Sequence, residues 1–133
     1  NIYRIDIDEE LVEEHMSTDI FCVSTYDSIE LTRQILEWNN IRHLPVESDD
    51  GDLIGMITDG IVERVEQMNE DKVQFAGQVM IVNPVTIQSE ATLAEARALM
   101  QDHDISGLPV VFGKKLVGII TNKDIHPRRK DIS

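Results

Sequence analysis

The sequence predicts a mixed α/β (α+β) fold made of two β-α-β-β-α units, and three observations carry that prediction: an internal repeat, capped helical segments, and short apolar runs broken by turn residues. At an offset of 64 positions, the step from Met16 to Met80, Arg33 falls on Arg97 and Ile41 on Ile105. In the same register Leu44-Pro45-Val46 lands on Leu108-Pro109-Val110. One residue is lost in the following turn, after which Leu53-Ile54-Gly55-Met56-Ile57-Thr58 matches Leu116-Val117-Gly118-Ile119-Ile120-Thr121. Apolar residues substitute for one another between these anchors: Val23 for Ile87, Ile29 for Leu93, Leu36 for Met100. Matches spread over a whole unit, Pro and Gly included, mark a duplication.

Each copy reads alike. Phe21-Cys22-Val23 and Val85-Thr86-Ile87 suit a first strand. A helix follows, opened by the pairs Asp27 with Glu30 and Thr92 with Glu95, which have capping-box spacing. Helical spacing gathers Ile29, Ile35 and Leu36 on one side, and Leu93, Ala96, Leu99 and Met100 in the second copy. Two strands come next, joined by turns at Ser48–Asp52 and at Gly113-Lys114-Lys115. The runs Leu53–Ile57 and Leu116–Ile120 are continuously apolar, which predicts burial on both faces. A last helix starts near Thr58 or Thr121. Glu9 to Met16 reads as a short leading helix, and Glu66 to Lys72 as the connection. The first copy thus spans residues 9–66 with its leading helix, and the second 73–127. Neither copy is large enough to hide its apolar strands alone, so the two are expected to share a core, packed sheet-to-sheet about a pseudo-twofold axis.

Composition narrows the function. With 12 Lys+Arg against 25 Asp+Glu the net charge is −13, a surface that repels a phosphate backbone and makes nucleic acid a poor partner. No apolar run approaches a membrane span, so no membrane association is expected. Cys22 is the only cysteine, which excludes an internal disulfide; a buried apolar role in a reducing, cytoplasmic compartment fits it best. The chain begins at Asn1 rather than Met, as a fragment of a longer protein would. No nucleophile motif, Walker loop or dinucleotide fingerprint is present, so no catalytic activity is expected.

The motifs Ile41-x-x-Leu44-Pro45-Val46 with Gly55-Met56-Ile57-Thr58, and Ile105-x-x-Leu108-Pro109-Val110 with Gly118-Ile119-Ile120-Thr121-x-x-Asp124, resemble those of the tandem CBS domain pair, or Bateman module, from about Glu14 to Ile125. That resemblance implies a regulatory module rather than an enzyme. It would bind an adenosine-containing small molecule (AMP, ADP, ATP or S-adenosylmethionine) in a cleft between the repeats and signal to an attached or partner protein. It also implies a homodimer. No cofactor beyond the regulatory nucleotide is expected. The alternative is a structural dimerisation module whose nucleotide site has decayed.

The resemblance assigns Thr121 to a phosphate and Asp124 to a ribose. The residues alone allow another reading: Thr-x-x-Asp is close to a capping box, and a cap explains both without a ligand. The two readings are compatible. In the first copy the position of Asp124 is Ile61, so at most one well-formed site is expected. Pro84, Val85, Thr86, Leu108 and Pro109 are the adenine-pocket residues the resemblance implies, each equally readable as core or edge strand. Arg42 and His43, whose counterparts are Ser106 and Gly107, are candidate phosphate contacts; ordinary surface ion pairing is the other reading of Arg42. His15, His43, His103 and His126 lack ligand spacing, so no metal is expected. Asp49-Asp50-Gly51-Asp52 lacks a full calcium loop, Trp38 reads as a packing residue, and Arg128-Arg129-Lys130 as a solvated tail.

Overall fold

The computed structural model describes residues 7–68 and 73–125. The end of the connection, His126 and the basic tail lie outside the described residues. The chain forms two compact units, Phe21–Pro84 and the residues up to Ile20 together with those from Val85 onward. These compact units cut the chain elsewhere than between the two repeats.

In the first unit, β1 (Val23–Ser24) leads to α1 (Ile29–Trp38), β2 (His43–Glu47), β3 (Leu53–Thr58), α2 (Asp59–Met68), the short α3 (Ala76–Val79) and β4 (Ile81–Val82). The sheet order is β1-β2-β3-β4, parallel between β1 and β2 and antiparallel elsewhere. The second unit contains β5 (Ile87–Gln88), α4 (Leu93–His103), β6 (Gly107–Phe112), β7 (Lys115–Thr121) and α5 (Asn122–Ile125), with sheet order β5-β6-β7. The leading segment is two 3-10 turns, Ile7–Glu9 and Val12–Glu14, rather than the expected helix. The elements α3 and β4 were not anticipated.

Local chemistry explains the helix limits. Thr92 accepts the Glu95 N–H at 3.2 Å while Glu95 accepts the Thr92 N–H, the predicted reciprocal cap of α4. In α1 the cap shifts by one residue from expectation. Ser28 Oγ accepts the Leu31 N–H at 3.0 Å, while Asp27 turns back to accept the Ser24 N–H at 2.8 Å. Both helices stop at equivalent residues in the left-handed region, Asn40 (φ 53°) and Asp104 (φ 53°). Asn and Asp tolerate that conformation better than other side chains with a Cβ.

Each unit has its own cluster of buried apolar residues. The first holds Val23, Ile29, Leu36, Leu44, Val46, Ile57, Val62 and Ala76. The second holds the positional equivalents of all eight, Ile87, Leu93, Met100, Leu108, Val110, Ile120, Ile125 and Val12, together with Ala96. Each fully buried Leu or Ile contributes roughly 1.5–3 kcal/mol. Thr32 replaces Ala96 in the first unit and, though fully buried, satisfies its hydroxyl on Ser28 O at 2.9 Å.

The boundary shift has a clear cause: the segment that precedes each repeat completes the other repeat's unit. Ser17 exchanges two backbone hydrogen bonds with Ile119, at 2.8 and 3.0 Å, and the Val12 N–H donates to Ala91 O at 2.8 Å. The equivalent Ile81 pairs with Met56 on β3, and Ala76 donates its N–H to Asp27 O at 2.9 Å. Close approach explains the two sheet glycines. A Cβ on Gly118 would stand 2.6 Å from Met16 Sδ and 2.8 Å from Ser17 O, and one on Gly55 would collide with the equivalent Met80. Arg97 anchors the second unit's arm through Asp8 at 2.6 Å.

Trp38 corrects another expectation. It is 77% exposed and outside the core. Ile29, Thr32 and Leu36 take the inward face of α1, while Trp38 lies seven residues from Leu31 on the outward one.

Gly118→Ala is expected to cost about 1–3 kcal/mol through overpacking against the arm. Thermal denaturation should show a melting point several degrees below wild type; an unchanged value would mean the arm yields without cost.

Candidate ligand site

Pro109 lies in β6, the central strand of its sheet, where a missing N–H would normally leave a ladder gap. It is tolerated because β5 pairs only with the far half of β6, Ile87 with Val110 and Gln88 with Val111. Gly107, Leu108 and Pro109 therefore have no strand partner on the β5 side. The parallel register brings Thr86 and Val85, one and two residues ahead of the pairing, alongside Pro109 and Leu108. Across the other edge Gly107 pairs with Thr121, and the Asn122 N–H donates to Ser106 O at 3.0 Å. One end of the second sheet thus gathers Val85, Thr86, Leu108, Pro109, Thr121 and Asp124. The Leu108 side chain, 1% exposed, is spent on the core.

At this end Asp124 is half-buried and directed back at Thr121. Its Oδ2 accepts the Thr121 N–H at 2.8 Å and the Thr121 hydroxyl at 3.2 Å. Both bonds fall on one oxygen, and Oδ1 accepts none among the described residues. The capping role is present, and it leaves half of the carboxylate's acceptor capacity open. The first copy is built differently. Thr58 Oγ1 itself accepts the Ile61 N–H at 3.2 Å, and Asp59 accepts the Gly60 N–H at 2.8 Å. No carboxylate occupies the position matching Asp124.

Arg42, His43 and Pro84 belong to the other unit. Arg42 and His43 are exposed at the start of β2, where His43 pairs with Thr58 and Arg42 O accepts the Asp59 N–H at 3.1 Å. Among the described residues the Arg42 side chain makes no ion pair, unlike Arg33, which engages Glu30, Glu37 and Glu66. No group of three or more His, Cys, Asp or Glu could hold a metal among the described residues. No helix among them is long and apolar enough to cross a membrane.

Sequence reasoning passed over the setting of Cys22, the counterpart of Thr86. Its thiol donates to Glu47 Oε1 at 2.7 Å. Burial, that hydrogen bond and the Glu47 charge push its pKa up to about 12 from an ordinary 9.0. The apolar role expected for Cys22 is therefore replaced by that of a half-buried hydrogen-bond donor.

The CBS domain model matches residues 12–64 and 76–127, and the chain belongs to the CBS domain family, as a tandem pair. A CBS domain-containing protein of Dictyostelium discoideum is 32% identical over 127 residues, 86% of this chain and 88% of that one. An uncharacterized protein of Methanocaldococcus jannaschii is 34% identical over 124 residues, 83% of this chain but only 30% of the relative. The L-aspartate semialdehyde sulfurtransferase of the same organism shares 29% over 116 residues, 22% of its length. Among solved structures, the CBS domain pair of protein MJ0100 in complex with 5′-methylthioadenosine and S-adenosyl-L-methionine has a TM-score of 0.77 at 29% identity, covering 88% of this chain and 93% of that one. CBSX2 in complex with AMP, at 22% identity and TM-score 0.79 over 86% of this chain and 92% of its own, shares the fold.

Because the raised thiol pKa disfavours thiolate, Cys22 should react slowly with disulfide reagents at pH 8. Glu47→Gln should accelerate labelling, and equal rates would remove Glu47 as the cause. An acid whose folded pKa lies above its unfolded one stabilises the fold fully below the unfolded value. The Cys22 contribution should therefore be lost between pH 9 and about 12, a loss that pH-dependent melting of wild type against Cys22→Ser would reveal.

Proposed function

We propose that the chain is a regulatory module that binds an adenosine-containing ligand at the end of the second sheet where β5 and β6 separate. The observation that supports this reading best is the open Oδ1 of Asp124, held by Thr121 beside backbone that has no strand partner on the β5 side. A carboxylate oxygen so oriented can accept a ribose hydroxyl without giving up its cap. The backbone of residues 107–109, open on the β5 side, with Val85 and Thr86 alongside, offers an adenine edge both apolar contact and hydrogen-bonding groups. Pro84 is the remaining member of the proposed adenine set. Arg42 and His43, unengaged in their own unit, are the proposed phosphate contacts. The 29% identical MJ0100 pair, in complex with two adenosine derivatives, supports the ligand class. Regulation then requires the ligand to favour one arrangement of the module over another, with an attached or partner protein reading the difference. The single cysteine suits a reducing, cytoplasmic setting.

A homodimer is part of the proposal. Leu31 and Trp38 form an outward apolar pair on α1, whereas their counterparts on α4 are Glu95 and Asp102. An exposed tryptophan beside a leucine suits a self-complementary contact through the first repeat. The same observation favours the second reading, dimerisation without a ligand.

Titration calorimetry with AMP, ADP, ATP and S-adenosylmethionine should give saturable binding for at least one. Asp124→Asn, which keeps an oxygen for the cap, should weaken it roughly tenfold or more through loss of a charged acceptor. Equal affinities would remove Asp124 from the site, and silence from all four would leave the dimerisation reading. Trp38→Glu should lower the sedimentation mass to that of a monomer. A wild type that already sediments as a monomer at high concentration would end the dimer reading.

A further inference from the structure

We propose that the first unit carries a second site of different chemistry, a cleft for an alkyl carboxylate with Arg64 binding the head group. The cleft has a volume of about 480 Å³, within the range of small-molecule sites. One face of α2 supplies Ile61, Val65 and Met68, spaced at helical intervals; Thr58, at the end of β3, and Val73, Val79 and Ile81 complete the lining. Arg64 stands beside that face.

The choice of ligand follows from what this lining can and cannot satisfy. Ile61 occupies the place that Asp124 takes in the second copy, so the wall has no acid to accept sugar hydroxyls. With Val65, Met68, Val79 and Ile81 it presents branched and thioether side chains, suited to a flexible hydrocarbon. The charged member is Arg64, which, in a chain of net charge −13, forms no ion pair among the described residues. The helix explains part of this, because the residues three and four positions either side of Arg64 are Gly60, Ile61, Gln67 and Met68, none of them acidic. An uncommitted guanidinium beside an apolar cleft complements a carboxylate, which it can bind through two parallel N–H donors. The Thr58 hydroxyl accepts the Ile61 N–H and retains its own proton to donate. None of Thr121, Asp124, Arg42 or His43 lines this cleft, so the inference stands independently of the adenosine site.

The test is titration calorimetry of the full chain with sodium octanoate and with 1-octanol, each below its self-association or solubility limit. Octanoate should bind saturably, and octanol about tenfold more weakly or worse. Arg64→Gln should weaken octanoate about tenfold and leave octanol unchanged, while Arg64→Lys, which keeps the charge but loses the paired donors, should fall between the two. Ile61→Asp should abolish octanoate binding by placing a like charge in the wall, without altering the Asp124-dependent nucleotide heat. Thermal melts establish that each variant is folded. No heat with octanoate, equal binding of acid and alcohol, or equal octanoate affinity of Arg64→Gln and wild type would each overturn the proposal.

Discussion

The backbone pairing of Ser17 with Ile119, and of the equivalent Ile81 with Met56, is the constraint on which the other features rest. It covers part of an edge of each sheet with the segment that precedes the other repeat, and it sets two glycines where an added Cβ would press on that segment. It delivers Val12 and Ala76, both fully buried, into cores that would otherwise have an open side. Two units with eight equivalent core positions each can therefore be small and still bury an ordinary hydrophobic interior.

On that symmetric frame the polar chemistry is unequal. The cores draw on the same eight sequence positions, yet at the helix following β3 and β7 one copy presents Ile61 and the other Asp124. Thr58 caps its helix as an acceptor, while Thr121 donates to a carboxylate. Packing forces the repeats to stay alike wherever side chains interlock. It places no such demand at strand ends, where a polar group answers to solvent or ligand.

Much of this was legible in the chain itself, for reasons that differ from element to element. The α4 cap lies within four residues, so Thr92 and Glu95 announce it. At α1 two adjacent residues can both cap, and the competition between Asp27 and Ser28 is decided by the turn to Ser24. The exchange of leading segments was hidden because its contacts join residues far apart in the chain, as Ser17 with Ile119 and Ile81 with Met56, and leave no periodic signal. β4 is two residues long, too short for alternation to show. Trp38 was misjudged because hydrophobicity suggested burial, whereas its helix face is decided by the register of Ile29, Thr32 and Leu36. The site residues of the second copy could be listed from its motif. That Asp124 uses only one oxygen, that Leu108 is core, and that Arg42 is unengaged depend on three-dimensional neighbours.

The exchanged leading segments also bear on how the chain can be cut. A lone repeat cut from this chain together with its own leader would carry the wrong leader for self-completion, and its natural refuge would be a second copy of itself.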